Sequence, residues 1–159
     1  MDERSGHLWG DGAAAVFISG ERHSEEDMKI IDIHTTGLAH IGKGVDGAYL
    51  RPNEGNLKMP YGRDVYVHAC KFMVSEVQNI LECNNYRLED VTYLVPHQAN
   101  ARIINHVAKS LGADNSKVIS NIQETGNTGC ASTVICLSQN WGRFKKNDIV
   151  VITVFRSEE

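Results

Sequence analysis

Two short polar motifs carry the residue types that are best suited to chemistry. Residues 95–100 read VPHQAN and supply His97, and residues 126–132 read GNTGCAS and supply Asn127. Each motif lies where a strand-like apolar pattern changes to a helix-like pattern, which is where α/β proteins place reacting groups. A histidine and an asparagine together are two of the three side chains of a thiol-dependent active site. The interpretation of the chain therefore depends on whether a nucleophilic cysteine accompanies them.

Both residues also have a purely structural interpretation. A lone histidine is usually a packed or surface residue, but His97 stands among the hydrogen-bonding side chains of Gln98 and Asn100. Asn127 could be a helix N-cap, a role that Thr128 would fill equally well. The glycines around Asn127 permit close backbone approach and unusual dihedral angles, which would let a tight turn present its side chain. Because the two residues share the same kind of setting, we interpret them as a functional pair.

None of the four cysteines is a clear nucleophile. Cys70 and Cys83 fall on the apolar stripe of a predicted helix, and Cys136 lies inside another, so we interpret them as packed residues. Cys130 lies beside a predicted helix start, where the helix dipole favours a thiolate, but packing next to glycine is the simpler interpretation. The absence of CxxC spacing and the small number of cysteines argue against a disulfide scaffold and favour a cytoplasmic protein.

Composition sets further bounds on function. The chain has 159 residues, 42% of them hydrophobic, and a net charge of −4, which predicts one ordinary globular domain. This charge gives no indication of a nucleic acid or an anionic membrane as partner. The sequence contains no apolar run approaching the ~20 residues of a membrane span and no signal peptide. We therefore expect neither nucleic-acid nor membrane binding.

Two other kinds of site, a dinucleotide-binding loop and a metal site, do not fit the sequence. Residues 42–47 (GKGVDG) satisfy the GxGxxG pattern, but Pro52 follows closely and no helical periodicity comes after the loop. A dinucleotide site needs a helix whose N-terminus holds the pyrophosphate, so we interpret this stretch as a loop. The seven histidines show neither an HExxH pair nor a Cys/His cluster, which predicts no metal site.

Hydrophobic periodicity predicts alternating strands and helices. Strands are predicted at residues 13–19, 29–34, 91–95, 118–120 and 149–155, helices at 64–83, 99–111 and 128–141, and a long loop at 37–62. This order predicts an α/β fold with a mixed, mostly parallel sheet flanked by helices. The core-facing positions of the first helix are predicted to be Val67, Cys70, Val74, Val77, Ile80 and Leu81. The last strand is apolar on both faces, so we expect it to need cover on each side.

The motifs together resemble one known family. GDGA at residues 10–13, PHQANAR at 96–102 and GNTGCAS at 126–132 resemble the second half of a β-ketoacyl-acyl-carrier-protein synthase III, a member of the thiolase-like superfamily. The resemblance implies that residues 1–159 are a C-terminal thiolase-like half-domain. It also implies that the cysteine-bearing N-terminal half, the last glycine-rich loop and the final strand are absent. We accordingly expect a fragment, or one chain of a split enzyme.

The resemblance implies an acyltransferase that performs a decarboxylating Claisen condensation in fatty-acid chain initiation. Its substrates would be acyl-CoA and malonyl-acyl-carrier protein, without a cofactor, and the catalytic histidine and asparagine would be His97 and Asn127. Lacking the nucleophilic cysteine, this chain alone is expected to be inactive. The resemblance further implies a homodimer when complete. The positions assigned to binding the pantetheine arm are Gly62, Tyr66, Ala69 and Asn100, and those assigned to docking acyl-carrier protein are Arg102 and Lys109.

The docking assignment also has support from periodicity. Arg102, His106 and Lys109 share one face of the helix after His97, and the opposite face is apolar. An ordinary solvated face would give the same pattern.

Two rival functions stay open at this stage. One is a related thiolase-like acyltransferase or polyketide-type synthase of secondary metabolism, since the motifs do not separate these enzymes. The other is a non-catalytic partner subunit that retains the fold for assembly, although an intact His97 and Asn127 argue against it.

Overall fold

The structure is a computed structural model that describes residues 9–38, 49–51, 56–58 and 62–155. Three 3-10 turns, at Leu88–Asp90, Asn115–Lys117 and Trp141–Arg143, connect the longer elements. The helices and strands are β1 (Tyr49–Arg51), β2 (Asn56–Lys58), α1 (Gly62–Cys83), β3 (Tyr93–Pro96), α2 (Ala101–Leu111), α3 (Ile122–Thr125), α4 (Ala131–Gln139) and β4 (Val150–Thr153).

A parallel pair of strands lies at the centre of the described fold. β3 pairs with β4 in a register that joins Tyr93 to Val150 and Pro96 to Thr153. On the other side of β3, Leu94 makes a single parallel bridge to Val118. The α/β class and the parallel arrangement predicted from the sequence are confirmed. The predicted strand at residues 118–120 is reduced to this one bridge.

α1 covers the parallel strands with a narrow apolar face. Its buried residues are Ala69, Cys70, Met73, Val77 and Leu81, which pack with Val91, Leu94, Val107 and Val151. Two positions predicted to face the core do not: Val67 is 52% exposed and Cys83 is also exposed. At about 100° per residue, both positions lie roughly a quarter turn or more from the Met73–Val77 centre of the buried arc.

α2 matches its predicted pattern closely. The apolar positions Ile103, Ile104, Val107, Ala108 and Leu111 are all buried. The Oδ1 of Asn100 accepts a hydrogen bond from the backbone N–H of Ile103 at 3.0 Å, which caps the N-terminus. Gly112 ends the helix with φ 70°, a left-handed conformation that favours glycine.

The predicted strands at residues 13–19 and 29–34 are wrong. The only pairing within residues 9–38 is a bridge between Trp9 and Asn127, and residues 11–37 are exposed, Phe17 by 85%. A strand requires a neighbour for its backbone hydrogen bonds, and the described chain offers none to these runs. The predicted loop 37–62 is also wrong in part, because Tyr49–Arg51 and Asn56–Lys58 form an antiparallel pair. The GKGVDG stretch lies outside the described residues.

β4 is more fully covered on one face than on the other. Val151 and Thr153 are buried against α1, whereas Ile152 and Val154 are 48% and 57% exposed. On this second face, which the sequence predicted would need cover, Val150 is partly buried against Val95, Ile119 and Cys136, so the described chain covers the start of the strand and leaves its end exposed.

The structure also bears on membranes and metals within the same ranges. No described helix combines the length and apolar character needed to cross a membrane. Among the described side chains, no three from histidine, cysteine, aspartate and glutamate converge to hold a metal ion.

Candidate active site

His97 lies directly after β3 and is held there by the neighbouring strand. Its backbone N–H donates to the carbonyl oxygen of Thr153 at 2.7 Å, which extends the β3–β4 pairing by one residue. The residue is 7% exposed. The end of a parallel strand therefore fixes the backbone of His97, as the sequence pattern predicted.

A serine from α4 holds the imidazole ring of His97. The Nδ1 atom lies 3.1 Å from the Oγ of Ser132, in the first turn of α4. Ser132 is fully buried. The contact joins two segments that are 35 positions apart in the sequence. The ring thus has a defined orientation relative to the N-terminal end of α4.

Gln98 joins the strand before the histidine to residues 120 and 121 by hydrogen bonds. Its side chain is completely buried, and its Nε2 donates to the carbonyl oxygen of Pro96 at 2.6 Å. Its Oε1 accepts hydrogen bonds from the Oγ of Ser120 at 2.8 Å and from the backbone N–H of Asn121 at 3.0 Å. Breaking such a buried network leaves polar groups without partners, so Gln98 stabilises the position of its neighbour His97.

Asn127 lies in the loop before α4, and its own turn orients its side chain. The Oδ1 accepts from the backbone N–H of Gly129 at 3.0 Å, where Gly129 has φ 62°. The carbonyl oxygen of Asn127 accepts from the N–H of Gly10 at 3.0 Å. A side chain on Gly10 would collide with the Thr125 carbonyl oxygen, so this approach requires glycine. With Oδ1 engaged, the Nδ2 amide group is the part of Asn127 that can donate elsewhere.

The start of α4 therefore brings the two candidate catalytic residues into one region. Asn127 precedes the helix, and Ser132 in its first turn contacts the ring of His97. The backbone link from Asn127 to Gly10 adds the GDGA motif to the same assembly. All three motifs singled out in the sequence meet here, although they lie far apart along the chain.

The sequence analysis missed Ser132 and Gln98 as functional residues. Both stand inside the quoted motifs, and both are polar residues with no exposed surface. Their polar character within otherwise core-forming segments is the signal that could have identified them. Two further polar atoms of this region, the Oδ1 of Asn121 and the Oγ1 of Thr128, are buried and have no hydrogen-bond partner among the described residues.

The residues predicted to bind the pantetheine arm lie at or near the N-terminal ends of α1 and α2. The Tyr66 ring meets the His106 ring edge-on at 5.9 Å, so the N-terminal part of α1 lies beside the middle of α2. Burial raises the pKa of the Tyr66 hydroxyl, and the neighbouring Cys70 raises it further. Gly62 begins α1, and Asn100 caps α2 through its Oδ1. Ala69, by contrast, is packed in the core at 2% exposure.

The predicted docking residues lie on the solvent side of α2. Arg102 and Lys109 are exposed, as is His106 between them. Their face is opposite the buried apolar stripe, which agrees with the periodicity read from the sequence.

The cysteines divide into buried and exposed pairs. Cys70 and Cys136 are buried, and burial raises the pKa of the Cys136 thiol to about 11 and that of Cys70 above its ordinary value. A buried thiol with a raised pKa is a poor nucleophile at neutral pH. Cys83 and Cys130 are exposed, so the prediction that they are packed is wrong. Cys130 is the N-cap residue of α4, where a position at the helix end keeps its side chain at the surface.

Comparisons with known proteins agree with these motifs. A family model for the C terminal part of 3-oxoacyl-[acyl-carrier-protein (ACP)] synthase III matches residues 81–156. The β-ketoacyl-[acyl-carrier-protein] synthase III of Clostridium tetani is 42% identical over 170 residues, which cover 93% of this chain and 49% of the relative. The corresponding protein of Clostridium perfringens strain SM101 is 34% identical over 168 residues, covering 97% and 50%.

A solved structure supports the same relationship. The crystal structure of 3-oxoacyl-(acyl carrier protein) synthase III from Pseudomonas aeruginosa PAO1 aligns with a TM-score of 0.68 and 29% identity, over 77% of this chain and 38% of that chain. The chain spans about half the length of the curated relatives it matches. It is therefore homologous to the C-terminal part of the β-ketoacyl-acyl-carrier-protein synthases III and shares their thiolase-like fold.

Proposed function

We propose that this chain supplies the oxyanion-stabilising half of an active site for decarboxylative Claisen condensation. The observation that carries the proposal is that α4 links the two residues: Asn127 precedes this helix, Ser132 in its first turn contacts the ring of His97, and each side chain is held by a hydrogen bond. Fixed donors stabilise developing charge without reorganising during the reaction. The homology to synthases III supplies the reaction class.

The proposed chemistry uses His97 and Asn127 as neutral donors. When the malonyl thioester loses carbon dioxide, the electron pair of the broken C–C bond moves into an enolate, and negative charge develops on the thioester oxygen. An imidazole N–H and a carboxamide N–H would stabilise this oxyanion by hydrogen bonding. Neither group is an acid strong enough to protonate and quench the enolate. The enolate carbon would then attack the acyl thioester and expel the cysteine thiolate.

The acyl-carrying cysteine would come from the other part of the synthase. The two buried cysteines of this chain are poor nucleophiles, and the relatives are about twice as long as the region that they share with it. Full condensation, its substrates acyl-CoA and malonyl-acyl-carrier protein, and its place in fatty-acid chain initiation are thus proposals for the complete enzyme. For that enzyme we also propose a cytoplasmic location and a homodimeric state.

The sharpest test uses a chimera in which this chain replaces the aligned region of the Clostridium tetani relative. Malonyl-acyl-carrier-protein decarboxylation and transfer of the acyl group to the cysteine are then measured separately. We expect His97→Ala or Asn127→Ala to slow decarboxylation by about 10²–10³-fold, the usual cost of removing one positioned donor. Acylation should change much less, since it does not pass through the enolate.

Matched substitutions control for damage to the fold. His68→Ala and Asn79→Ala remove the same side-chain types from α1, away from α4. Both should leave the two half-reactions near the rates of the unmodified chimera. Equal slowing of decarboxylation and acylation by His97→Ala would refute the assigned role.

We further propose that Gly62, Tyr66, Ala69 and Asn100 line or support the path of the pantetheine arm. The contact between Tyr66 and His106 supports this assignment, since it brings the part of α1 that begins at Gly62 beside the helix that Asn100 caps. The Nδ2 of Asn100 is the polar group available for the arm, because its Oδ1 caps α2. Ala69 would act through packing, given its burial.

The exposed face of α2 would receive an acidic acyl-carrier protein. Arg102 and Lys109 lie on this face, and the attraction would be local because the chain as a whole is acidic. In the chimera, Arg102→Glu should raise KM for malonyl-acyl-carrier protein and leave KM for malonyl-CoA nearly unchanged, with an effect that weakens as salt rises. Lys146→Glu makes the same charge change after α4 and serves as the control. An equal loss with both substrates would place Arg102 in the pocket or the fold instead.

A further inference from the structure

The hydrogen bond between Ser132 and His97 constrains where the proton of the imidazole resides. Ser132 Oγ lies 3.1 Å from the Nδ1 of His97, and Ser132 is fully buried. Within the part of the chain that the structure describes, this Nδ1 is the only hydrogen-bond partner of the Ser132 side chain. A hydroxyl group carries one hydrogen that must find an acceptor when water is excluded.

The two neutral tautomers of His97 differ in how they satisfy this hydroxyl. If Nε2 carries the proton, Nδ1 is an acceptor and the Ser132 hydroxyl donates to it. If Nδ1 carries the proton, it donates to Oγ, and the buried hydroxyl hydrogen is left without an acceptor. A buried hydroxyl that makes no hydrogen bond costs its full free energy of desolvation. The same mismatch disfavours the imidazolium form, in which both ring nitrogens are donors.

We propose that Ser132 is a positioning residue that holds His97 as the neutral tautomer with its proton on Nε2. The inference rests on the proposed function, because that tautomer presents an N–H donor on the ring nitrogen opposite α4. The hydrogen bond made by one ring nitrogen determines which nitrogen is protonated, and here the buried serine makes that bond. Ser132 itself need not contact substrate.

The first test measures the tautomer directly in the full chain. Nitrogen-15 labelled histidine gives distinct chemical shifts for protonated and unprotonated ring nitrogens, and the spectrum of a His97→Gln variant identifies the signals of His97. At pH 8.5, above the ordinary histidine pKa of ~6.5, the wild-type ring should be protonated at Nε2 and unprotonated at Nδ1. In Ser132→Ala, the ratio of the two tautomers should shift towards Nδ1–H by about five-fold, the effect of one average hydrogen bond.

Two further variants separate positioning from damage to the fold. Ser132→Cys keeps a weak S–H donor and should restore part of the wild-type ratio. Thr133→Val removes a hydroxyl from the next buried position of α4 and should leave the ratio unchanged. A wild-type ring protonated at Nδ1, or a tautomer ratio indifferent to Ser132→Ala, would overturn the inference.

The second test measures catalysis in the chimera with the Clostridium tetani relative. Ser132→Ala should slow decarboxylation by up to about five-fold with an unchanged KM and unchanged acylation, because a five-fold shift in the tautomer ratio lowers the fraction of rings protonated at Nε2 by at most that factor. A merely structural role would lower both half-reactions together, in proportion to the loss of folded enzyme, and would contradict the inference. If His97→Ala fails to slow decarboxylation while the tautomer result holds, the proposed function is wrong and the assignment of the proton stands.

Discussion

Residues 9–38 and residues 62–155 contain similar apolar runs but have opposite structural outcomes. The run at 13–19 was predicted as a strand, yet Phe17 in its middle is 85% exposed. The runs in β3 and β4 are just as short, and Val95 and Val151 are buried. The difference lies in their neighbours. β3 and β4 pair with each other, Val151 packs against α1 and Val95 packs against Cys136 of α4. Residues 13–19 have neither a pairing strand nor a covering helix within the described chain.

This contrast shows that an apolar run gives the potential for a strand and not the strand itself. A helix satisfies its backbone hydrogen bonds within one segment, so α1 and α2 form wherever one face can be buried. A strand depends on a second segment for every one of those bonds. The part of the chain that has partners is folded around a core, and the part without them presents its apolar side chains to solvent.

Amide hydrogen exchange should show the largest difference between the two regions. We expect backbone amides at the centres of α1, α2 and β3 to exchange at least about 1,000-fold more slowly than those of residues 11–37, because core amides exchange only through large-scale unfolding. Peptide-level mass spectrometry measures both regions in one experiment. Equal protection of residues 13–19 and α1 would mean that the first segment is covered in solution.

Truncation of one large side chain in each region sharpens the comparison. Met73→Ala should lower the free energy of unfolding by about 2–5 kcal/mol, since the side chain is 2% exposed and its loss leaves a cavity. Phe17→Ala should change it by no more than about 0.5 kcal/mol, as is usual for exposed positions. Urea titration monitored by circular dichroism gives both values. A large effect of Phe17→Ala would place that residue in a packed interface.

The cysteines extend the comparison within the folded region itself. The Cys136 thiol has a pKa of about 11, so at pH 8 only about one molecule in a thousand carries the thiolate. Iodoacetamide should therefore modify exposed Cys83 long before Cys136, and the rate at Cys136 should rise about ten-fold per pH unit while the protein stays folded. Mass spectrometry of the modified peptides measures both, and rapid modification of Cys136 at pH 8 would contradict its burial.

The same raised pKa links the stability of the fold to alkaline pH. In the unfolded chain the Cys136 thiol ionises near its ordinary pKa of 9.0, whereas in the folded chain it does so near 11. The stability that this thiol contributes is thus fully present below about pH 9 and is lost as the pH rises from about 9 to about 11. Cys136→Ala should reduce that loss in urea titrations at these two pH values.

The smallest expected effect concerns the end of a helix. Asn100→Ala should lower the free energy of unfolding by about 1 kcal/mol, because the backbone N–H of Ile103 loses its acceptor. Asn105→Ala, at an exposed position within the same helix, should leave the free energy of unfolding unchanged or raise it slightly, since alanine is the better helix former. Equal values for the two variants would exclude a capping role for Asn100.

Much of the candidate site could be predicted from the sequence, for reasons that differ by residue. His97 and Asn127 were singled out because motifs and strand-to-helix breaks are local signals, and the structure places Asn127 before α4 and the ring of His97 against Ser132 in the first turn of that helix. Ser132 and Gln98 were missed because their roles depend on partners that are 35 and 23 positions away. The catalytic roles of His97 and Asn127 stay predictions until the half-reactions are measured, as does the positioning role of Ser132.

The sequence by itself determined the three longer helices and the family resemblance of this protein, but not the short helix α3. α1 and α2 follow from periodicity, and α2 also from its capping residues, because a helix forms its hydrogen bonds among near neighbours. Only the tertiary structure decided which apolar runs became strands, which cysteines were buried and which serine contacts His97. Each of these outcomes depends on a surface or a hydrogen-bonding partner supplied by a distant segment, and no local pattern specifies whether that partner is present.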